Sequence, residues 1–318
     1  MSFSATVKEE LARVISPGRH CQIAEMAAIM SFLGRVESCG DREVITLQTE
    51  NEAVARKCFT LLRKTFNIDT EILVQKKVVL KKGSAFTVEL REPKDVLKVL
   101  QGTKLVRDPD SGYYNGKVDS LVFQRSCCRR AFIRGAFLSA GSISTPEKGY
   151  HFEIVCNSGD RAQVLQEIIR SFGIEAKVVP RKKSYVVYVT EGSQIVDLLA
   201  VMEAGRSVMN MENIRITKEV RNNVNRKVNC ETANINKTVE AAVKQTEDIR
   251  LIESVLGLDG LKGSLREIAE LRLQYPEASL QELGSMLTLP VGKSGANHRF
   301  RRISELAESL RNGNAEEI

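Results

Sequence analysis

No stretch of these 318 residues approaches the roughly 18 consecutive apolar residues that a membrane-spanning helix needs. No membrane is therefore expected as a partner. The opening run Met1-Ser-Phe-Ser-Ala-Thr-Val-Lys-Glu-Glu10 places acid where a secretory leader needs a basic start and an apolar core, which predicts a cytoplasmic protein. Seven cysteines, at 21, 39, 58, 127, 128, 156 and 230, are odd in number and include no C-x-x-C pair, so no disulfide framework is expected. Cys58 and Cys156 fall at core positions of regular elements and read as buried reduced thiols. His20, His151 and His298 lie far apart in the sequence, with no cysteine or carboxylate partner at ligand spacing, and the adjacent Cys127 and Cys128 suit a helix start better than a tetrahedral site. Neither a metal nor a cofactor is expected. Gly292-Lys293-Ser294 imitates the end of a phosphate-binding P-loop, but the required glycine five residues earlier is Leu287 and the preceding segment reads as a helix.

What is present is an ordinary globular balance, 42% hydrophobic and 27% charged, over a length that accommodates two domains. A net charge of +7 favours a polyanionic partner, and the placement of the basic residues has to decide whether one is bound.

The apolar stretch Ala131-Phe-Ile-Arg-Gly-Ala-Phe-Leu-Ser-Ala-Gly-Ser-Ile143 carries Gly135 and Gly141, so a helix there exposes bare backbone to a second helix. Its partner is Ile23-Ala-Glu-Met-Ala-Ala-Ile-Met-Ser-Phe-Leu-Gly34. Ala28 falls in register with Gly135, Gly34 with Gly141 and Val36 with Ile143, an offset of 135 − 28 = 107 residues. Gly34 and Gly141 are expected where the two copies approach. Alternating residues at 44–49 and 151–156 predict strands after each copy, and helical runs follow to Phe66 and Phe172.

Around this pair, Ser4 is expected to cap a first helix that Pro17-Gly18 ends. Residues 72–74, 78–80 and 86–90 read as strands with a turn at Lys82-Gly83, and Pro93 opens a short helix. Residues 102–116 read as the loop connecting the repeats. In the second copy Val164, Leu165, Ile168, Ile169 and Phe172 are predicted to line one helix face, strands at 176–179 and 185–190 flank Arg181-Lys-Lys-Ser184, and residues 193–202 form a last helix. Eight asparagines between Asn210 and Asn236 mark a polar linker, although the absence of proline and glycine from 212–231 also permits a helix. A helix is predicted over 237–257.

Two capping boxes, Ser264-Leu-Arg-Glu267 and Ser279-Leu-Gln-Glu282, predict helices from Leu265 and Leu280. A third begins at Lys293, with Ala296, Phe300, Ile303, Ala307 and Leu310 as its buried stripe. Its other face carries Ser294, Asn297, His298, Arg301 and Arg302, and the run from Lys293 to Arg302 holds four cations and no acid. A short helix, a break and a basic helix (about Ser279 to Arg311) is the layout of a helix-turn-helix, whose second helix enters the major groove. Asn297, His298 and Arg301 suit base edges, whereas Lys293, Ser294, Arg299 and Arg302 suit phosphates. A solvated basic face on an ordinary three-helix bundle is the competing reading.

The paired helices with small residues at their crossing, each followed by strands and a helix, resemble the LAGLIDADG homing-endonuclease fold. From Ser2-Phe-Ser4 to the Lys293-Ser-Gly-x-Asn-His-Arg-x-Arg-x-Ile303 run, the chain resembles the WhiA family of bacterial regulators. The resemblance implies an α+β class, with a two-repeat LAGLIDADG-like domain over 1–205 (repeats at about 19–100 and 120–204), a linker over 206–236 and an all-α helix-turn-helix domain over 237–318. It also implies a transcription regulator of sporulation, cell division or chromosome segregation, located at the nucleoid. Its partner would be double-stranded DNA, with a sigma factor or another regulator as a further candidate. The resembling endonucleases place a metal-binding acid one residue before the final glycine of each helix, and here those positions are Leu33 and Ala140. Neither can hold a hard cation, so no catalysis is expected. Lys76, Lys77, Lys81, Lys82, Arg181, Lys182 and Lys183 are left either to touch a phosphate backbone or to be solvated. An RNA-binding or splicing helper, or a nuclease with a non-standard metal site, are the rival readings.

Overall fold

The computed structural model describes residues 2–39, 42–76, 84–107 and 114–312. The expected strand at 78–80, the turn at Lys82-Gly83, Lys77, Lys81, Lys82, the Lys76 side chain and the tip of the loop after Arg107 lie outside the described residues. Two compact units divide the chain, Met1–Lys218 and Glu219–Ile318.

The first unit opens with α1 (Phe3–Arg13), capped by Ser2, whose hydroxyl accepts the Ala5 N–H at 3.2 Å. Ser4, expected as the cap, sits inside the first turn, and its hydroxyl accepts the N–H of Ile143 at 3.4 Å. Then come α2 (Arg19–Phe32), β1 (Gly34–Cys39), β2 (Arg42–Thr49), α3 (Glu52–Phe66), β3 (Ile72–Lys76), β4 (Ser84–Leu90) and α4 (Pro93–Thr103). Asn51 starts α3 by accepting two backbone N–H groups, and Asn67 ends it in the left-handed conformation that asparagine tolerates. The loop expected over 102–116 is corrected in part: it contains β5 (Leu105–Arg107) and most of β6 (Tyr114–Val118), an antiparallel pair with Leu105 opposite Val118. The alternation there is too short to read from sequence.

The second copy comprises α5 (Ser126–Ala140), β7 (Gly141–Ile143), β8 (Phe152–Cys156), α6 (Gly159–Arg170), β9 (Lys177–Arg181), β10 (Ser184–Val189) and α7 (Gly192–Val201). The two four-stranded antiparallel sheets have the same order, β1-β2-β4-β3 and β7-β8-β10-β9. Gly34 pairs with Leu47 in the first, as Gly141 pairs with Ile154 in the second. Along α6 the buried face is Ala162, Leu165, Ile168 and Ile169, whereas Val164, expected on that face, is 37% exposed. Leu165, Ile168 and Ile169 are buried as expected, and Ala162, too small to mark a period in the sequence, takes the buried place expected of Val164.

Helices α2 and α5 meet face to face in the middle of the unit, and every residue from Ala24 to Met30 is buried. The point of closest approach is Gly135. A Cβ there would lie 2.5 Å from the Glu25 carbonyl oxygen and 2.9 Å from the Ala28 Cβ. Gly34 and Gly141, expected at the contact, do something else: a Cβ on Gly34 would strike the Met30 carbonyl at 2.7 Å, and one on Gly141 would strike Phe137 of its own helix. They turn the chain from helix into strand, and the Ala28–Gly135 pair carries the crossing.

That crossing also buries charge. Glu25, inaccessible, accepts from Arg134 Nε at 3.0 Å and Nη2 at 3.1 Å and pairs with Lys57 Nζ at 2.9 Å. Arg134 Nη1 donates to Glu203 at 2.6 Å and Nη2 to the Ser16 hydroxyl at 2.7 Å, so helices from both repeats share one network. Burial pulls the Lys57 ammonium below its usual range while Glu25 pushes it back.

Residues 206–236, expected as linker, form part of one helix, α8 (Gly205–Leu256), which includes the boundary between the units. The predicted start at Lys237 is therefore corrected to Gly205. With neither proline nor glycine after Gly205 until Gly257, nothing in the backbone breaks the helix, and the modest cost of each asparagine does not either.

Candidate nucleic-acid interface

The second unit packs the end of α8 with α9 (Gly263–Gln274), α10 (Leu280–Met286) and α11 (Lys293–Arg311) around a separate core of Ile249, Ile252, Leu261, Ile268, Leu283, Leu287, Ala296, Phe300, Ile303 and Ala307. Helix α10 has its capping box: the Ser279 hydroxyl accepts the Glu282 N–H at 3.3 Å and Glu282 returns to the Ser279 N–H at 2.8 Å. The box predicted at Ser264 does not form. Helix α9 begins two residues earlier than expected, at Gly263, and Glu267 reaches across to the Thr288 hydroxyl at 2.7 Å. That bond and the Thr288 N–H hold the Glu267 carboxyl below its usual range, with the Arg299 charge adding to the effect.

The turn between α10 and α11 depends on Gly284. The Val291 N–H donates to the Gly284 carbonyl at 2.9 Å, and a Cβ on Gly284 would collide with the Val291 carbonyl. Two buried charges set the neighbouring elements. Arg272, 2% exposed, donates to Gln245 Oε1 at 3.1 Å and to the Ala278 carbonyl at 2.6 Å, and its guanidinium lies 5.2 Å from the centre of the Phe300 ring. Asp248 on α8 accepts from Ser304 Oγ and Arg311 Nη2, both at 2.7 Å, which ties down the C-terminal half of α11. Sequence patterning flags neither arginine nor aspartate, since a buried charge looks like any surface one.

Ala296, Phe300, Ile303 and Ala307 are buried on α11 as a stripe, with Leu310 packed at the edge of the core. Lys293, Ser294, Asn297, His298, Arg301 and Arg302 are exposed. Arg299 is half-buried, and its Nη1 has no hydrogen-bond partner among the described residues. Arg301 forms an open ion pair with Glu305 at 3.2 Å, an exposed i, i+4 contact that a stronger anion displaces at little cost. The face therefore presents an amide, an imidazole and guanidinium groups along one side of a 19-residue helix.

In the first unit Leu33 and Ala140 occupy equivalent places, Leu33 capping the end of α2 and Ala140 closing α5. A hollow beside Leu33 is lined by Lys8, Gln48, Thr49, Glu50, Asn51, Ala85 and Ser139. Lys8 lies 5.8 Å from the centre of the Phe137 ring, and burial lowers its ammonium pKa to about 8. At the β9–β10 turn Lys182 and Lys183 are exposed, while Arg181 lies 3.8 Å from Glu153. The expectation that His20 has no cysteine partner is corrected here: His20 Nδ1 lies 3.2 Å from both Cys21 Sγ and Cys128 Sγ. Sequence distance hid the contact, because α2 and α5 bring together residues more than a hundred positions apart.

Two four-stranded sheets of identical order behind a pair of crossed helices, followed by a short helix, a tight turn and a basic helix, define a two-repeat LAGLIDADG-like protein joined to a helix-turn-helix module. Three family models match in the same order: the WhiA N-terminal LAGLIDADG-like domain over residues 19–106, the WhiA LAGLIDADG-like domain over 129–221 and the WhiA C-terminal HTH domain over 224–307. Proteins named "Probable cell division protein WhiA" are 55% identical in Lachnoclostridium phytofermentans, over 98% of this chain and 100% of that one, and 48% identical in Clostridium perfringens strain 13, over 99% and 100%. A solved structure, full-length DUF199/WhiA from Thermatoga maritima, is 26% identical with a TM-score of 0.59, covering 97% of this chain and 98% of that one. The chain belongs to the WhiA family.

Proposed function

We propose that this protein is a sequence-reading regulator of transcription that binds double-stranded DNA through α11, acts in cell division, sporulation or chromosome segregation, and has no nuclease activity. The observation that carries the reading is the exposed face of α11, where Asn297, His298 and Arg301 stand opposite the buried stripe with Lys293 and Ser294 at the helix start. Arginine grips guanine and asparagine grips adenine bidentately in the major groove, and a helix N-terminus with a lysine suits a phosphate. Arg302 faces solvent beside them. Arg299 is half-buried and its charge acts on Glu267, so of the proposed phosphate contacts it is the one not fully exposed.

On this reading the working division of the chain is 1–205 for the paired repeats, 206–236 for the connecting segment and 237–318 for the reading module. Leu33 and Ala140 are the former catalytic positions, filled by side chains that offer no oxygen to a divalent cation. The relatives' names point to cell division, and a sigma factor or another regulator is a candidate partner. Among the described residues no helix is long and apolar enough to cross a membrane, in keeping with action at the nucleoid.

Competition binding tests the reading directly. A duplex carrying a site selected from genomic fragments should displace labelled duplex, and RNA of the same sequence should not. Incubation with magnesium or manganese should leave plasmid uncut. Preference for RNA, or cleavage lost on replacing a first-unit carboxylate, would reject the proposal in favour of a splicing helper or of a nuclease with a non-standard metal site.

A further inference from the structure

Four potential ligands converge at one end of the α2–α5 pair: His20 and Cys21 in the first turn of α2, Cys127 and Cys128 in the first turn of α5. The offsets, 127 − 20 and 128 − 21, both equal 107, the same as that between Ala28 and Gly135. Equivalent positions of the two repeats therefore face each other, at the opposite end of the helix pair from Leu33 and Ala140. Their donor atoms all lie within 4.8 Å of one another. His20 Nδ1 is 3.2 Å from Cys21 Sγ, 3.2 Å from Cys128 Sγ and 4.0 Å from Cys127 Sγ. A tetrahedral ion with arms of about 2.3 Å to sulfur and about 2.0–2.1 Å to nitrogen needs edges of roughly 3.5–3.8 Å, within a few tenths of an ångström of those distances.

We propose that His20, Cys21, Cys127 and Cys128 form a structural zinc site that staples the two repeats together. Three sulfurs and one imidazole are the donor set of a closed structural zinc centre. Cys21 and Cys128 are buried against Ala24, Ala27, Val122 and Ala131, whereas His20 and Cys127 are exposed and leave a path for the ion. A second feature aims the ring. The imidazole folds back over Gly18, where a Cβ would lie 2.9 Å from Nε2, so Nδ1 is left facing the sulfurs. Binding forms three Zn–S bonds and one Zn–N bond. The three thiol protons pass to buffer, and the imidazole binds as the neutral base, so no oxidant or reductant is needed.

The test uses untagged full-length protein, expressed with zinc and purified under reductant without chelator. Elemental analysis should find about one zinc per chain, and cobalt substituted for it should give the visible spectrum of a tetrahedral thiolate centre. Cys127→Ser and His20→Gln remove exposed ligands and should lose most of the bound zinc while circular dichroism stays that of the parent. Cys230→Ser, exposed elsewhere in the chain, should keep it. Chelator should lower the Tm of the parent and leave that of Cys127→Ser unchanged. Metal-free protein with all thiols titratable, a disulfide linking Cys21 to Cys127 or Cys128, iron in place of zinc, or full zinc content in Cys127→Ser would each overturn the assignment.

Discussion

Glu25 and Arg134 come from helices of different repeats, and both are almost wholly withdrawn from water. Removing one charge strands the others in an apolar interior, which costs far more than the pair contributes net. Glu25→Gln is therefore expected to lower stability by about 3–5 kcal/mol, read as a shift in the urea midpoint. A loss below about 1 kcal/mol, the range of exposed pairs, would mean that water reaches the network. Lys8 acts in the opposite sense. Burial lowers its pKa from 10.5 to about 8, so between those values the unfolded chain holds a proton that the folded chain releases. Stability then rises with pH across that window, and the penalty for burying the ammonium is complete below it. Lys8→Met should be more stable than the parent at pH 7, by about 1 kcal/mol once the contact with the Phe137 ring is subtracted. Its advantage should vanish above the unfolded pKa, and an equal gap in Tm at pH 7 and pH 10.5 would exclude this cause.

At the scale of the elements, the crossing of α2 and α5 separates two roles that glycine plays in this chain. Gly135 is a close approach between helices and Gly141 a turn out of one, so a larger side chain meets different obstacles in the two places. Gly135→Leu and Gly141→Leu should each cost about 1–3 kcal/mol or more. Phe137→Leu, which shortens the ring that Gly141→Leu strikes, should recover part of the second loss and none of the first in thermal melts. Equal rescue of both would mean that Gly141 also lies in the crossing. Much of this architecture was legible from sequence, because a repeat offset of 107 and alternating strands are periodic signals. The point of contact was not. Ala28 and Gly135 matched in the alignment as clearly as Gly34 and Gly141, and only the helix ends, at Phe32 and Ala140, place the second pair outside the interface. The same offset laid His20-Cys21 over Cys127-Cys128, a signal available in the sequence but obscured by the reading of each dipeptide alone. Gly284 and Arg272 left no periodic trace, since one acts through a missing Cβ and the other as a lone charge.

The whole molecule carries a net charge of +7, and such a surplus attracts any polyanion without choosing a sequence. Choice has to come from groups that touch base edges. Under the proposed function the two kinds of residue on α11 are separable, because Arg301 stands near the middle of the exposed face and Lys293 at the helix start. Arg301→Ala is expected to cost about 1–3 kcal/mol on the preferred duplex and to narrow the gap between preferred and scrambled sequences. Lys293→Ala should weaken both duplexes alike and reduce the salt slope by about one, the counterion share of a single phosphate contact. Titrations of both variants on both duplexes at several salt concentrations distinguish these patterns. If each variant bound every duplex as the parent does, while charge-neutral replacement of Lys182 and Lys183 in the first unit abolished binding, the DNA-reading surface would belong to the repeats. The exposed face of α11 would then be an ordinary solvated one.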